Sequence, residues 1–126
     1  PEADVKLVAL DELLAKSDVV SLNLVLNDET RGFIDAKKIA TMKPGVILIN
    51  TARGAIVDEA ALIEGLKSGH IRHAGLDVFH NEPLKGTEPI VQLPNVTLAA
   101  HAAFRTLEAS MTLLRRALDI VKKMNT

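Results

Sequence analysis

Val46-Ile47-Leu48-Ile49 is an unbroken apolar run, mostly β-branched, stopped on one side by Pro44-Gly45 and on the other by the loop Asn50-Thr51-Ala52-Arg53-Gly54. A strand with no polar alternation has no face to give to water. It belongs inside a covered sheet, the habit of parallel sheets whose crossovers are helices. The next segment fits that reading. Asp58 is placed to cap a helix through Ala60-Ala61-Leu62-Ile63-Glu64-Gly65-Leu66, Val57 and Leu62 stand where a hydrophobic staple forms, and Gly69 is placed to end the helix.

The same grammar recurs on both sides. Asp18 to Leu24 reads as a second buried strand, ending in the polar Asn27-Asp28-Glu29-Thr30 loop. Asp35 caps a helix to about Thr41, with Ile34 and Ile39 as its staple. His73 to Val78 and Val96 to Leu98 are further strands, separated by a long loop from Phe79 to Pro94 with prolines at 83, 89 and 94. At the front, Val5 to Ala9 predicts a short strand, and Asp11 caps a helix over Glu12 to Lys16. At the back, Thr106 to about Met124 predicts a long helix. Its apolar face carries Leu107, Met111, Leu114, Leu118 and Val121, opposite Thr112, Arg116, Asp119 and Lys123. Strand alternating with helix implies an α/β fold with a parallel sheet and right-handed crossovers.

Composition narrows the partners. The net charge of −1 comes from 15 basic and 16 acidic residues spread along the chain, which offers no footprint for nucleic acid or an anionic membrane. With no cysteine, disulfides and thiolate metal centres are excluded, and no metal site is expected. No apolar run approaches the ~20 residues that span a bilayer. The opening Pro1-Glu2-Ala3-Asp4 is unlike a secretory leader, so a cytoplasmic location is expected. The length of 126 residues fits one domain.

Three motifs stand in order: Asn50-Thr51-Ala52-Arg53-Gly54 with Val57-Asp58-Glu59, Gly75-Leu76-Asp77-Val78-Phe79 running to Glu82-Pro83, and Pro94-Asn95-Val96-Thr97-Leu98 running to His101. In them the chain resembles the D-isomer-specific 2-hydroxyacid dehydrogenases. The resemblance implies a Rossmann-like sheet, the second half of an NAD(P)-binding domain over residues 1–126, closed by the long C-terminal helix. It implies hydride transfer between NAD or NADP and the C2 of a small 2-keto or 2-hydroxy acid. Arg53, Glu82 and His101 are then the catalytic set: Arg53 grips the substrate carboxylate and carbonyl, Glu82 orients the histidine, and His101 does the acid/base work. Asn23, Thr51, Ala52, Arg53, Asp77 and His101 line the cofactor side, with Asp77 toward the nicotinamide.

The residue chemistry suits those roles. An arginine's planar fork meets a carboxylate bidentately. Imidazole exchanges a proton near neutrality, and a carboxylate beside it fixes the ring and stabilises its charged form. Taken singly, Arg53 reads as a loop ion pair, Asp77 as a cap, Glu82 as a solvated charge and His101 as a satisfied polar group; His70, His73 and His80 keep that plain reading. The case for the set is joint placement, since each of Arg53, Glu82 and His101 follows a strand at the end where ligands bind.

The chain departs from the family where Asn23-Leu24-Val25 replaces His-x-Pro, where Ala99-Ala100-His101 replaces Thr-Pro-His, and where Ala102-Ala103-Phe104 replaces a glycine-containing turn. These changes bear on substrate identity more than on reaction class. The glycines at 32, 45, 54, 65, 69, 75 and 86 form no Gly-x-Gly-x-x-Gly turn for the pyrophosphate. In the resembled family that turn, and a substrate domain, lie upstream. The stretch is therefore expected to be part of a larger enzyme, inactive alone, with an orphaned sheet edge that a homodimer or larger assembly covers. A non-enzymatic binding or corepressor-like module on the same scaffold is the alternative. A formate dehydrogenase relative is disfavoured, because that branch is expected to pair its histidine with glutamine.

Overall fold

The computed structural model describes residues 5–124. In chain order the elements are α1 (Leu10–Lys16), β1 (Val19–Leu22), α2 (Ala36–Thr41), β2 (Val46–Asn50), α3 (Glu59–Lys67), β3 (Ile71–Leu76), β4 (Val96–Leu98) and α4 (Leu107–Met124), with short 3-10 turns at Gly54–Ile56 and Pro89–Gln92. The strands form one four-stranded sheet in the order β1-β2-β3-β4, every neighbouring pair parallel. All four carboxyl ends therefore open on the same side.

Register decides which side chains share a face. Val20, Leu48, Ala74 and Val96 lie side by side, and so do Leu22, Asn50, Leu76 and Leu98. This face is covered: α3 packs on β3, α2 on α3 and α1 on α2, and the core includes Leu14, Ile34, Ile39, Leu48, Leu62, Leu66 and Ile71. The opposite face holds Val19, Ile47, Ser21, Ile49 and Gly75. Within this chain it is open, with Val19 54% exposed. The apolar β2 run thus asks for cover on two faces and receives it fully on one.

The two central helices are capped as expected. The Asp35 carboxylate accepts from the Lys38 amide and the Asp58 carboxylate from the Ala61 amide, each at 2.8 Å. Ile34, Ile39, Val57 and Leu62 are all buried at these helix starts.

The front of the chain differs from expectation. Residues 5–9 form no strand: they do not join the open edge of β1 or any other described strand, and Val5 and Leu7 are exposed. Helix α1 starts earlier, at Leu10, with Ala9 at its N-cap and no side-chain cap, so Asp11 sits in the first turn instead. There its charge favours the helix dipole. β1 is shorter than the apolar stretch around it; β2 gains Asn50, and β3 is shifted toward its start because Gly69, at φ 77°, releases the chain directly into Ile71.

Helix α4 begins at the Thr106 cap, whose hydroxyl accepts from the Ala109 amide at 3.1 Å. Its expected apolar stripe is present but bare: Leu107 is 75% exposed, Leu114 55% and Leu118 51%.

Candidate active site

Because the strands are parallel, the chemistry-bearing residues collect at one edge of the sheet. Asn23 follows β1, Thr51 to Arg53 follow β2, Asp77 to Glu82 follow β3, and His101 follows β4.

The Arg53 loop is tied down from inside the sheet. Asn50 takes the next buried position of β2 after Val46 and Leu48. Its side-chain nitrogen donates to the Arg53 carbonyl at 3.0 Å, and its oxygen accepts from the Ala52 amide at 3.1 Å. Neither polar end of this buried amide is left unpaired, so burial fixes the loop instead of penalising it. Beyond the loop, Ile56 and Val57 plug the core. Arg53 itself is exposed, and its Nη1 donates to the Ala52 carbonyl at 2.6 Å.

Glu82 and His101 meet. His101 Nδ1 lies 2.8 Å from Glu82 Oε2, and Glu82 Oε1 accepts the Phe79 amide at 3.0 Å. The His101 hydrogen bond, then the Phe79 amide, lower the Glu82 pKa against the opposing effect of desolvation, with further help from the charge of Arg53. A carboxylate on Nδ1 sets the ring so that Nε2 faces away from it, available to a ligand. The pair lines an open cavity of about 680 Å³ with Phe79, Leu84, Leu98 and Ala100. Arg53 lies on a separate cavity of about 260 Å³, with Ala52 and the apolar Leu24, Val25 and Leu26.

Asp77 is used differently from a free ligand-facing carboxylate. It is buried, and its two oxygens accept from the amides of Ala102 and Ala103 at 2.9 and 2.8 Å. Those amides come directly after His101, whose φ of 51° lies in the left-handed region. A non-glycine residue held there needs compensation, and the Asp77 carboxylate supplies it. Burial alone would raise the Asp77 pKa; the Ala102 and Ala103 amides and the nearby His101 together outweigh it and leave the pKa lowered. Asn23 is exposed, and its side-chain nitrogen turns back onto Ser21, 3.4 Å from the carbonyl and 3.3 Å from the hydroxyl.

The remaining histidines make ordinary polar contacts: His70 with the Met42 carbonyl, His73 with the Thr97 hydroxyl and His80 with the Val57 carbonyl. Among the described residues no group of three or more His, Cys, Asp or Glu side chains is gathered as a metal site requires, and no helix is long and apolar enough to cross a membrane.

Sequence reasoning missed Asn50 as the brace of the Arg53 loop and Ala102-Ala103 as the partners of Asp77. A signal existed for the first, since period two along β2 puts Asn50 on the buried face.

Residues 1–103 match the family model described as D-isomer specific 2-hydroxyacid dehydrogenase, NAD binding domain. The chain is 49% identical over 107 residues to 4-methyl-2-oxopentanoate reductase A of Aspergillus oryzae, covering 85% of this chain and 32% of that protein. Among solved structures it is similar to a glyoxylate reductase from Paecilomyes thermophila, with a TM-score of 0.84 and 43% identity over 91% of this chain and 35% of that one. It is also similar to a D-isomer specific 2-hydroxyacid dehydrogenase from Xanthobacter autotrophicus, solved in complex with NADPH and MES, with a TM-score of 0.70 and 47% identity over 73% of this chain and 29% of that one. The chain spans about a third of the length of these proteins.

Proposed function

The chain belongs to the D-isomer-specific 2-hydroxyacid dehydrogenases through their NAD-binding domain, and on that premise we propose that the protein carrying it interconverts a small 2-keto acid and its 2-hydroxy acid. The observation that carries this reading is the 2.8 Å contact between His101 Nδ1 and Glu82 Oε2 at the carboxyl end of the sheet, on the same rim as Arg53.

The residues present suit the nicotinamide half of the cofactor. Ala52 and the apolar Leu24, Val25 and Leu26 give a small recess, part apolar and part polar, beside Arg53, large enough for a flat ring. The phosphate half has no counterpart here, since the glycines form no phosphate-binding turn. Residues 1–126 are read as part of a cofactor domain, with the pyrophosphate contacts and the rest of the substrate site supplied by other parts of the protein. When bound, NADH or NADPH supplies the hydride that adds to the carbonyl carbon.

The chain's own residues do the rest. Arg53 meets the substrate carboxylate with its planar fork, which orients the carbonyl. His101 gives the proton on Nε2 to the carbonyl oxygen as charge develops there, and takes it back in the oxidising direction. Glu82 holds Nδ1 and stabilises the imidazolium. Ala52 lines the nicotinamide recess, Thr51 and Asn23 stand beside it at the ends of β2 and β1, and Asp77 acts by holding the turn that carries His101. We further propose a cytoplasmic homodimer in which the open sheet face and edge are covered, with no nucleic acid or membrane partner.

The test is the oxidation of NADH and NADPH by the whole protein with glyoxylate, hydroxypyruvate and pyruvate. Turnover with at least one is expected. Flat traces with all three, alongside demonstrable cofactor binding, would instead support a non-catalytic binding module. Glu82→Gln should move the alkaline limb of the reduction profile toward acid, because imidazolium loses its anionic partner; an unmoved limb would separate the two residues functionally.

A further inference from the structure

We infer that Gly54 is a positioning residue that sets the Glu82–His101 pair from across the rim, an assignment that rests on the proposed reading of that pair as the proton donor. Gly54 is buried, and a Cβ built on it would lie 2.2 Å from the Phe79 carbonyl carbon, 2.3 Å from its oxygen and 2.6 Å from the His80 nitrogen. All three are backbone atoms, so no rotamer change relieves the overlap. Gly54 does not have a left-handed φ; glycine is needed here for space.

The backbone it admits is the one that delivers Glu82. Phe79 donates its amide to Glu82 Oε1 at 3.0 Å, and Glu82 Oε2 receives His101 Nδ1 at 2.8 Å. His80 closes the same junction from the other side, with Nε2 2.8 Å from the Val57 carbonyl. The two banks differ in firmness. Asn50, Ile56 and Val57 anchor the Arg53 bank in the core, whereas Phe79 is half-buried and His80, Asn81 and Glu82 are exposed. An added methyl therefore displaces the Phe79-to-Glu82 segment and leaves Arg53 in place.

The experiment is steady-state kinetics on the whole protein with glyoxylate across pH, for Gly54→Ala, Glu82→Gln, their double variant and His80→Ala. Gly86→Ala serves as the control, since a Cβ there meets nothing within 4 Å. For Gly54→Ala kcat should fall about tenfold to a hundredfold, KM for glyoxylate should hold, and the alkaline limb should move toward acid. In the Glu82→Gln background the same substitution should add little. Wild-type kcat and pH profile, a raised KM with unchanged kcat, or full additivity with Glu82→Gln would each overturn the assignment.

If Gly54→Ala does not fold, His80→Ala decides: a smaller fall in kcat with the same acid shift supports the junction, and an unchanged profile overturns it. If the wild type reduces no keto acid, the proposed function fails separately. The histidine ring nitrogens of Gly54→Ala, followed by nitrogen NMR, then settle the geometry: a changed His101 Nδ1 signal supports the inference and an identical one overturns it.

Discussion

The end of β2 and the helix α4 treat the same kinds of side chain in opposite ways. Around β2, Leu48, Ile56 and Val57 are buried, and even the polar Asn50 is enclosed with both its amide groups paired. Along α4, Leu107, Leu114, Leu118 and Val121 stand more than half exposed on an otherwise regular helix. The covered face of the sheet is finished by this chain's own helices, while α4 and the face carrying Val19 and Ile49 are left partly or largely open. The sheet end is therefore where a rigid site can stand, and α4 is an element whose stability is decided elsewhere.

That contrast can be broken from the functional side first. If Arg53 grips the substrate carboxylate as proposed, Arg53→Ala in the whole protein should lower kcat/KM by about a thousandfold or more while leaving cofactor affinity nearly unchanged; Arg53→Lys should also be poor. Wild-type kinetics in either variant would remove Arg53 from the site.

The packing contrast is next in size. Leu48→Ala should cost about 2–5 kcal/mol of unfolding free energy, whereas Leu114→Ala in these 126 residues should stay within about 0.5 kcal/mol. Equal losses by denaturant titration would mean that α4 is packed, by a second copy or another segment. Light scattering on the same samples separates those cases.

A smaller effect, and one with a pH signature, is expected at Asp77. Its folded pKa is the lowered one. Its contribution is therefore complete above the ordinary carboxylate range and is lost as pH falls through the folded value, so the turn bearing His101 should loosen in acid, below about pH 4. Asp77→Asn offers one neutral acceptor to two amides and should cost about 1–3 kcal/mol, removing that acid transition. Hydrogen exchange at Ala102 and Ala103 reads both outcomes; protection that is insensitive to acid in the wild type would refute the linkage.

The smallest effects are at the caps. Asp58→Ala should cost about 1 kcal/mol of global stability. Thr106→Ala should fray the start of α4, seen by helix signal, without moving the sheet's transition. Matching global losses would show the helix and sheet to be one cooperative unit.

Much of this molecule is written locally. The apolar run at Val46, the Asp35 and Asp58 caps and the strand at Val96 are each legible within a window of a few residues, because capping and periodicity are short-range free energies. The family motifs single out Arg53, Glu82 and His101 together, and the structure puts Glu82 and His101 in contact. The front failed for the same physical reason that the middle succeeded: residues 5–9 have strand-like composition, but a strand exists only through a neighbour. What tertiary structure alone decided are the encounters between distant segments. Asp77 spends its carboxylate on amides 25 and 26 residues away. Asn95 reaches back 29 residues to the Leu66 carbonyl. Gly54 must be bare because the backbone of Phe79 and His80 lies against it. A sequence window sees a residue's own propensity; which backbone will press on it is settled only when the sheet has brought its loops to a common rim.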